Sequence, residues 1–496
     1  MRRLVSHLAL LPSCVAMTIA IATSDSAPAA TLAPLLSFGV GDVPGDGDRA
    51  PGEVLPGDAA GTANESGFYK YLGSDTNLER GMAYNPATGN LLFLSRVGGT
   101  APDSTDHGLR ILDGTTGVDL GFMDFDNTIV TGGTFDRNMI AVADDGAIYM
   151  ANLTTNATTS PFKIYRWASE DQLLTNPTLV YSGAPLAGAR LGDTLDAIGS
   201  GNDTRLAAGY GNNPSVPGNN SFAVFTTSDM GASFSATHVE VAGTPPDAGD
   251  FRLGITFTDA DTVIGKQSTF ARMVDFTGGT GTLAASIGSD GASLRPLDFA
   301  VVDGRPLLVT LEASAGNALE PGNPSANRAR IFVYDISDPT ASVADMKIAE
   351  GSVFPEGIYQ NANINGTGSV KFGAIDGNKV VIYALSTNNG IQAFELTLDP
   401  VVIDNADFDG ENGVDGADFL TWQRNFPVTD GTADRIDGDA NGDRNVDEAD
   451  LAVWQIQYGT SPAAAPAIGA VPEPTSAALV AAACCGLAWR QRRRRG

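Results

Sequence analysis

The sequence predicts an all-β body, a six-bladed β-propeller-like domain over residues 67–400. Two observations carry that expectation. From Gly67 onward helical periodicity is nearly absent, and short β-branched runs alternate with Gly, Asn and Asp, as strands joined by turns do. One segment type also recurs six times: Leu109–Asp113 (LRILD), Phe162–Arg166 (FKIYR), Phe222–Thr226 (FAVFT), Arg272–Phe276 (RMVDF), Ile331–Asp335 (IFVYD) and Ile391–Glu395 (IQAFE). Their starts lie 53, 60, 50, 59 and 60 residues apart, a spacing that suits blades with long loops.

Each of these segments has two strand-like runs upstream. The nearer is Gly89–Arg96, Gly146–Leu153, Thr204–Gly211, Asp261–Ser268, Arg305–Glu312 or Asn378–Ser386. The farther is Gly81–Asn85, Met139–Ala143, Asp193–Ile198, Leu253–Thr258, Leu297–Val302 or Val370–Ile375. A fourth often follows, as in Val118–Phe125 or Thr178–Ser182. The last blade lacks a fourth strand before residue 400, and Tyr69–Leu72 is the expected donor that closes the ring. A pair of β-sandwiches is the rival fold; its strands would recur at shorter spacing.

An arginine precedes the first strand of five blades: Arg80, Arg137, Arg190, Arg252 and Arg295. Residues 31–400 hold 20 basic residues, so five at one blade position is a pattern to explain. First strands line a propeller's channel, which places these arginines at one mouth. Acids stand close to three of them (Glu79, Asp136, Asp250). One reading is inter-blade ion pairs at strand ends. The other is a contact for acidic sugars or carboxylates, which guanidinium forks bind bidentately.

After the propeller, residues 403–460 contain two loops at an offset of 32. Oxygen-bearing side chains fall at loop positions 1, 3, 5, 9 and 12: Asp407, Asp409, Glu411, Asp415 and Asp418, then Asp439, Asn441, Asp443, Asp447 and Asp450. With the position-7 carbonyls of Gly413 and Asn445, this spacing suits Ca²⁺, which takes oxygens at ~2.3–2.6 Å. Val414 and Val446 are expected to pair in a short bridge between the loops. Phe419, Trp422 and Gln423 answer Leu451, Trp454 and Gln455, the core face of one short helix per loop. The pattern resembles a type I dockerin, with Asp at position 12 and one helix per loop. The resemblance implies two bound calcium ions and a cohesin-like partner. Position 6, usually Gly, is Asn412 and Arg444; a left-handed backbone there strains Arg and predicts a weaker second loop.

Both ends read as targeting segments. Arg2-Arg3, an apolar run from Leu4 to Ala22 and Ala27-Pro28-Ala29 form a secretory signal peptide over residues 1–29. Residues 30–66 read as a flexible lead-in, rich in Gly, Pro and Asp from Val40 to Gly61. At the other end a linker, 461–470, leads into Pro472-Glu473-Pro474, an apolar stretch to Trp489 and an arginine cluster. Segment 471–496 resembles a PEP-CTERM sorting tail with a transmembrane helix, which implies removal by an exosortase-type protease. The apolar stretch is short against the ~20 residues of a spanning helix, and its arginines can snorkel. The expected localisation is exported, at the cell surface or outside it.

Composition narrows the function. Between the targeting ends, residues 31–471 carry 23 basic and 56 acidic groups, which argues against nucleic acid as a partner. That region has no cysteine, and its two histidines, His107 and His238, lack metal-ligand spacing. The sequence has no Gly-x-Ser-x-Gly elbow, HExxH motif or phosphate loop. Two functions remain: a non-catalytic propeller that binds glycan or protein, or a dockerin-borne glycoside hydrolase or lyase.

Overall fold

The structure, a computed structural model, describes residues 30–35, 37–39, 71–72, 78–96, 108–123, 128–172, 176–211, 213, 215–242, 249–266, 270–289, 294–313, 330–352, 363, 365–388, 390–399, 405–411, 413–429 and 431–459. The signal peptide, most of the lead-in, His107, Asn412, the linker, and the sorting segment with Pro472, Glu473 and Pro474 lie outside the described residues. The chain divides into two compact units at Asp399/Pro400.

The first unit is a six-bladed propeller. Each of its six sheets has four antiparallel strands. The innermost strands are Glu79–Tyr84, Phe135–Val142, Asp196–Ile198, Ile255–Asp259, Leu294–Val302 and Gly368–Asp376. Each neighbours the next around the channel, and the last neighbours the first. Blade six takes its outer strand from far upstream: Ala30–Pro34 pairs with Ile391–Leu398, from Ala30↔Leu398 to Pro34↔Phe394. The closing strand is therefore not Tyr69–Leu72, and five residues expected in the lead-in belong to the ring. Tyr71 and Leu72 instead form a buried turn, where the Tyr71 hydroxyl donates to Asp119 at 2.9 Å.

Strand alternation explains the stacking. In Asn90–Ser95, Leu91 and Phe93 point toward blade six, while Leu92 and Leu94 point toward blade two. A sheet covered on both faces needs apolar residues at consecutive positions, and all four are fully buried. The same logic produces six apolar clusters, one between each pair of neighbouring blades. Each fully buried Leu or Phe contributes about 1.5–3 kcal/mol. Near the channel the strands converge and side chains must shrink. A Cβ on Gly254 would stand 2.1 Å from the Arg295 carbonyl, and one on Gly81 would meet the Ile140 nitrogen at 2.8 Å.

The second unit carries helices Gly416–Asn425 and Glu448–Gln457. Asp415 caps the first through the Ala417 N–H and Asp447 caps the second through the Ala449 N–H, each at 2.7 Å. Both caps form capping boxes, with Asp418 and Asp450 as the returning side chains. The repeats interlock by exchange. The Trp422 indole donates to the Asp447 carbonyl at 2.8 Å, and the Trp454 indole to Asp415 at 2.9 Å. Val446 bridges to Val428, not to Val414. The Val414 carbonyl accepts instead from Gly459 at 2.8 Å, so each loop is tied to the segment following the other repeat's helix. The two valines still share one core, fully buried with Ala406, Phe408 and Trp422 around them. Among the described residues no helix is long and apolar enough to cross a membrane.

Candidate functional site

All inner strands of the propeller start at the same end of the channel. Four of the five arginines expected there line one cavity of about 460 Å³: Arg80, Arg190, Arg252 and Arg295. Arg96 joins them. It ends the second strand of blade one, whose antiparallel course returns it beside Leu78, where its N–H bonds the Leu78 carbonyl at 3.0 Å. Arg137 does not line the cavity. It falls in a register shift, where Phe135 to Met139 lies opposite Leu153 to Ala151, and the side chain is buried beside Asp136 at 3.8 Å.

One acid, Asp193, is among the residues lining the cavity. Its carboxylate receives Arg190 at 2.5 and 2.7 Å and the Arg252 Nε at 3.1 Å, joining blade three to blade four. Asp250, the acid close to Arg252 in sequence, forms an ion pair with Arg272 at 3.6 Å. Burial alone would raise the Asp193 carboxyl. The hydrogen bonds and charge of Arg190, followed by those of Arg252, outweigh it and hold the group below its ordinary value. The same hydrogen bond raises Arg190.

Two of the remaining cations donate to neutral groups. Arg80 donates to the Thr367 hydroxyl. Arg295 reaches the Gly366 carbonyl at 3.4 Å. Burial lowers the Arg80 guanidinium, and burial together with Arg252 lowers Arg295. Arg96 is pushed down to about 9 by burial and by Arg80 beside it. Its guanidinium stacks 3.7 Å over Phe135, an aromatic ring 41% exposed at the rim. Asp193 and buried Glu79 offset part of the charge on Arg80 and Arg96, and the surplus of cations in a partly dry cavity favours an incoming anion.

Further along the channel lies a second polar cluster that sequence reasoning missed. The Lys371 Nζ donates to Asp196 at 3.0 Å and to Asp298 at 2.7 Å. The other carboxylate oxygens accept from the Phe257 and Phe372 N–H groups, at 2.9 and 2.8 Å. Burial raises the Asp298 carboxyl and Asp196 adds to the rise. The two carboxylates outweigh burial at Lys371 and raise it, so its ammonium is held charged. The available signal was one ionic residue at the same place in three apolar inner strands, Leu195-Asp196-Ala197, Leu297-Asp298-Phe299 and Val370-Lys371-Phe372.

In the second unit, carboxylate oxygens of Asp407, Asp409 and Asp418 lie within 4.8 Å of one another. Asp418 accepts from the N–H groups of Phe408 (2.6 Å), Asp409 (3.2 Å) and Asp415 (2.8 Å), which fold the loop around it. Asp450 repeats this with Ala440, Asn441 and Asp447, at 2.8, 3.2 and 2.7 Å. An all-oxygen donor set fits a hard cation such as Ca²⁺. Glu411 and Asp415 are not among the three converging residues, and Asp415 serves as the helix cap. In loop two, Asn441 donates to Asp443 at 3.2 Å, the Asp443 carboxylate accepts from Asn445 N–H at 2.8 Å, and Asp447 caps its helix. Arg444 takes the strained left-handed conformation expected of it, with φ 66°, and its N–H bonds Asp439 at 2.9 Å.

Residues 62–212 match the family described as "Domain of unknown function (DUF4623)". Among solved structures, a DUF4623 family protein from Bacteroides eggerthii is similar at 18% identity, over 71% of this chain and 78% of that one, with a TM-score of 0.46. The α-L-arabinofuranosidase arb93a from Fusarium graminearum is 12% identical, over 64% and 93% of the chains, with a TM-score of 0.39. A luciferin-regenerating enzyme is 10% identical, over 65% and 91%, with a TM-score of 0.35. No curated protein matches the chain.

Proposed function

We propose that the propeller is a non-catalytic binding domain for a carboxylate-bearing ligand, an acidic glycan before a protein segment, on an exported surface or matrix protein. The observation that carries this reading is the gathering of Arg80, Arg96, Arg190, Arg252 and Arg295 around one cavity in a chain of net charge −28. An acidic surface repels anions at long range, so a local positive focus marks where an anion is admitted. Guanidinium forks supply paired N–H donors to a carboxylate, and partial burial strengthens each bond. Asp193 keeps Arg190 and Arg252 oriented, and Phe135 offers a sugar ring an apolar face.

The C-terminal module belongs to the same proposal. Asp407, Asp409, Glu411, Gly413, Asp415 and Asp418 would hold one calcium ion. Asp439, Asn441, Asp443, Asn445, Asp447 and Asp450 would hold the other. Calcium would supply positive charge beside the buried carboxyl groups of Asp407 and Asp418 in one loop and of Asp439 and Asp450 in the other. The folded module would then dock to a cohesin-type partner, after an exosortase-type protease has removed the tail.

One observation favours the second reading, a glycoside hydrolase or lyase: Asp196 and Asp298 are two carboxylates facing the channel, one of them raised. Their shared ion pair with Lys371 supports a structural role instead. A glycan array probed with the full chain, followed by a reducing-sugar assay on every hit, separates the two. Binding of acidic glycans without new reducing ends supports the binding domain; new reducing ends support the enzyme.

A further inference from the structure

The mouth holds its arginines in two groups. Arg80 and Arg96 belong to blade one, Arg252 and Arg295 to the approaches of blades four and five. The turn at 365–367, leading into blade six, stands between Arg80 and Arg295. It holds Arg80 through the Thr367 hydroxyl and Arg295 through the Gly366 carbonyl, both neutral acceptors. Asp193, the one acid among the cavity's lining residues, spends both oxygens on Arg190 and one of them also on Arg252. Glu79, next to Arg80 in sequence, is fully buried, accepts from the Asn388 N–H at 3.3 Å, and with Asp193 offsets part of the charge on Arg80 and Arg96. Two guanidinium groups on separate blades are thus left with neutral hydrogen-bond partners, on either side of one turn.

Resting on the reading of this mouth as a binding site, we infer that its ligand carries at least two anionic groups, one seated on Arg80 and one on Arg295, as neighbouring units of an acidic oligosaccharide do. With Glu79 and Asp193 offsetting part of five cations, a single carboxylate would neutralise one group of arginines and leave the other with its cations in excess. A cavity of about 460 Å³ also exceeds what one carboxylate fills, lying within the ~300–1,000 Å³ of small-ligand sites. The Arg96–Phe135 stack lies on the blade-two side of the Arg80 seat and offers a flat surface to a sugar ring seated there.

The test is calorimetric titration of the full chain with three probes: galacturonic acid, its linear trimer and neutral maltotriose. The trimer is expected to bind at least about tenfold more tightly than the monomer, and maltotriose not at all. Arg80→Gln and Arg295→Gln should each reduce trimer affinity to that of the monomer, while Arg80→Lys and Arg295→Lys, which keep the charge, should lose less. A trimer no tighter than the monomer, or an advantage that survives either Gln variant, overturns the inference and leaves a one-anion mouth standing. Failure of both acidic probes to bind removes the mouth as an anion site and the inference with it. Thermal unfolding of each variant reports whether it folds, and the Lys variants keep the test decisive if a Gln variant does not.

Discussion

Asp193 grips Arg190 through both carboxylate oxygens, at 2.5 and 2.7 Å, and extends the same group to Arg252 on the next blade. Replacing it with Asn leaves two partly buried cations facing each other. Asp193→Asn should lower stability by about 1–3 kcal/mol, less than the ~3–5 of a fully buried pair because Arg190 stays 30% exposed. The Asp193 carboxyl lies below its ordinary value in the fold, so its stabilisation is present above the unfolded value and lost as pH falls through the folded one. Urea unfolding across pH should therefore show the native chain and the variant converging below about pH 4. A gap that stays constant in acid would refute the assignment.

Blade count and strand order are legible in the sequence because each blade is buried on both faces. Runs such as Leu91–Leu94 therefore show as continuous apolar segments at regular distance. The closing strand is not legible: Ala30–Pro34 finds its partner in Ile391–Leu398, and so distant a pairing leaves no local pattern. The arginine mouth is partly legible. Equivalent positions bring Arg80, Arg190, Arg252 and Arg295 together, but the register shift that turns Arg137 away depends on pairing with Leu153, and Arg96 reaches the mouth from a different strand. Loop spacing reveals converging Asp407, Asp409 and Asp418 because the three stand at positions 1, 3 and 12 of one short loop that folds back on itself. The exchange that pairs Val446 with Val428 is set by how the repeats pack.

Trp422 and Trp454 would report on calcium binding in the module proposed for it, since each indole is anchored to the other repeat's loop. Adding calcium to chelated full chain should change tryptophan fluorescence and raise helix content, and chelator should reverse both. Asp407→Ala and Asp439→Ala should each weaken the response. A signal indifferent to calcium would end the assignment of a metal to these loops.

Arg444 has a positive φ, 66°, in the second loop. Glycine tolerates that backbone, whereas a side chain costs about 1–2 kcal/mol. Arg444→Gly should tighten calcium binding at the second loop by roughly fivefold or more. Titration by fluorescence or calorimetry measures it, and unchanged affinity would mean the strain is not felt in binding.

Lys371 is the cation between Asp196 and Asp298. Lys371→Met removes it and should cost about 3–5 kcal/mol at neutral pH. Asp298 already lies above its ordinary value, and loss of the ammonium raises it further. A raised carboxyl destabilises at pH above its folded value and ceases to do so once protonated, so the deficit should shrink as pH falls through that raised value toward the ordinary carboxylate range. Unfolding midpoints measured against pH check this; a deficit that grows in acid would contradict it.

As proposed above, the arginine mouth would bind an anionic ligand without turning it over. The most direct measurement compares the native chain with an Arg252→Gln, Arg295→Gln double variant for acidic-glycan affinity, at about 20 and about 300 mM salt. The variant should stay folded, lose at least about tenfold in affinity at low salt, and be matched by the native chain at high salt. Binding that ignores both salt and the double substitution, or glycan hydrolysis that survives it, would contradict the account.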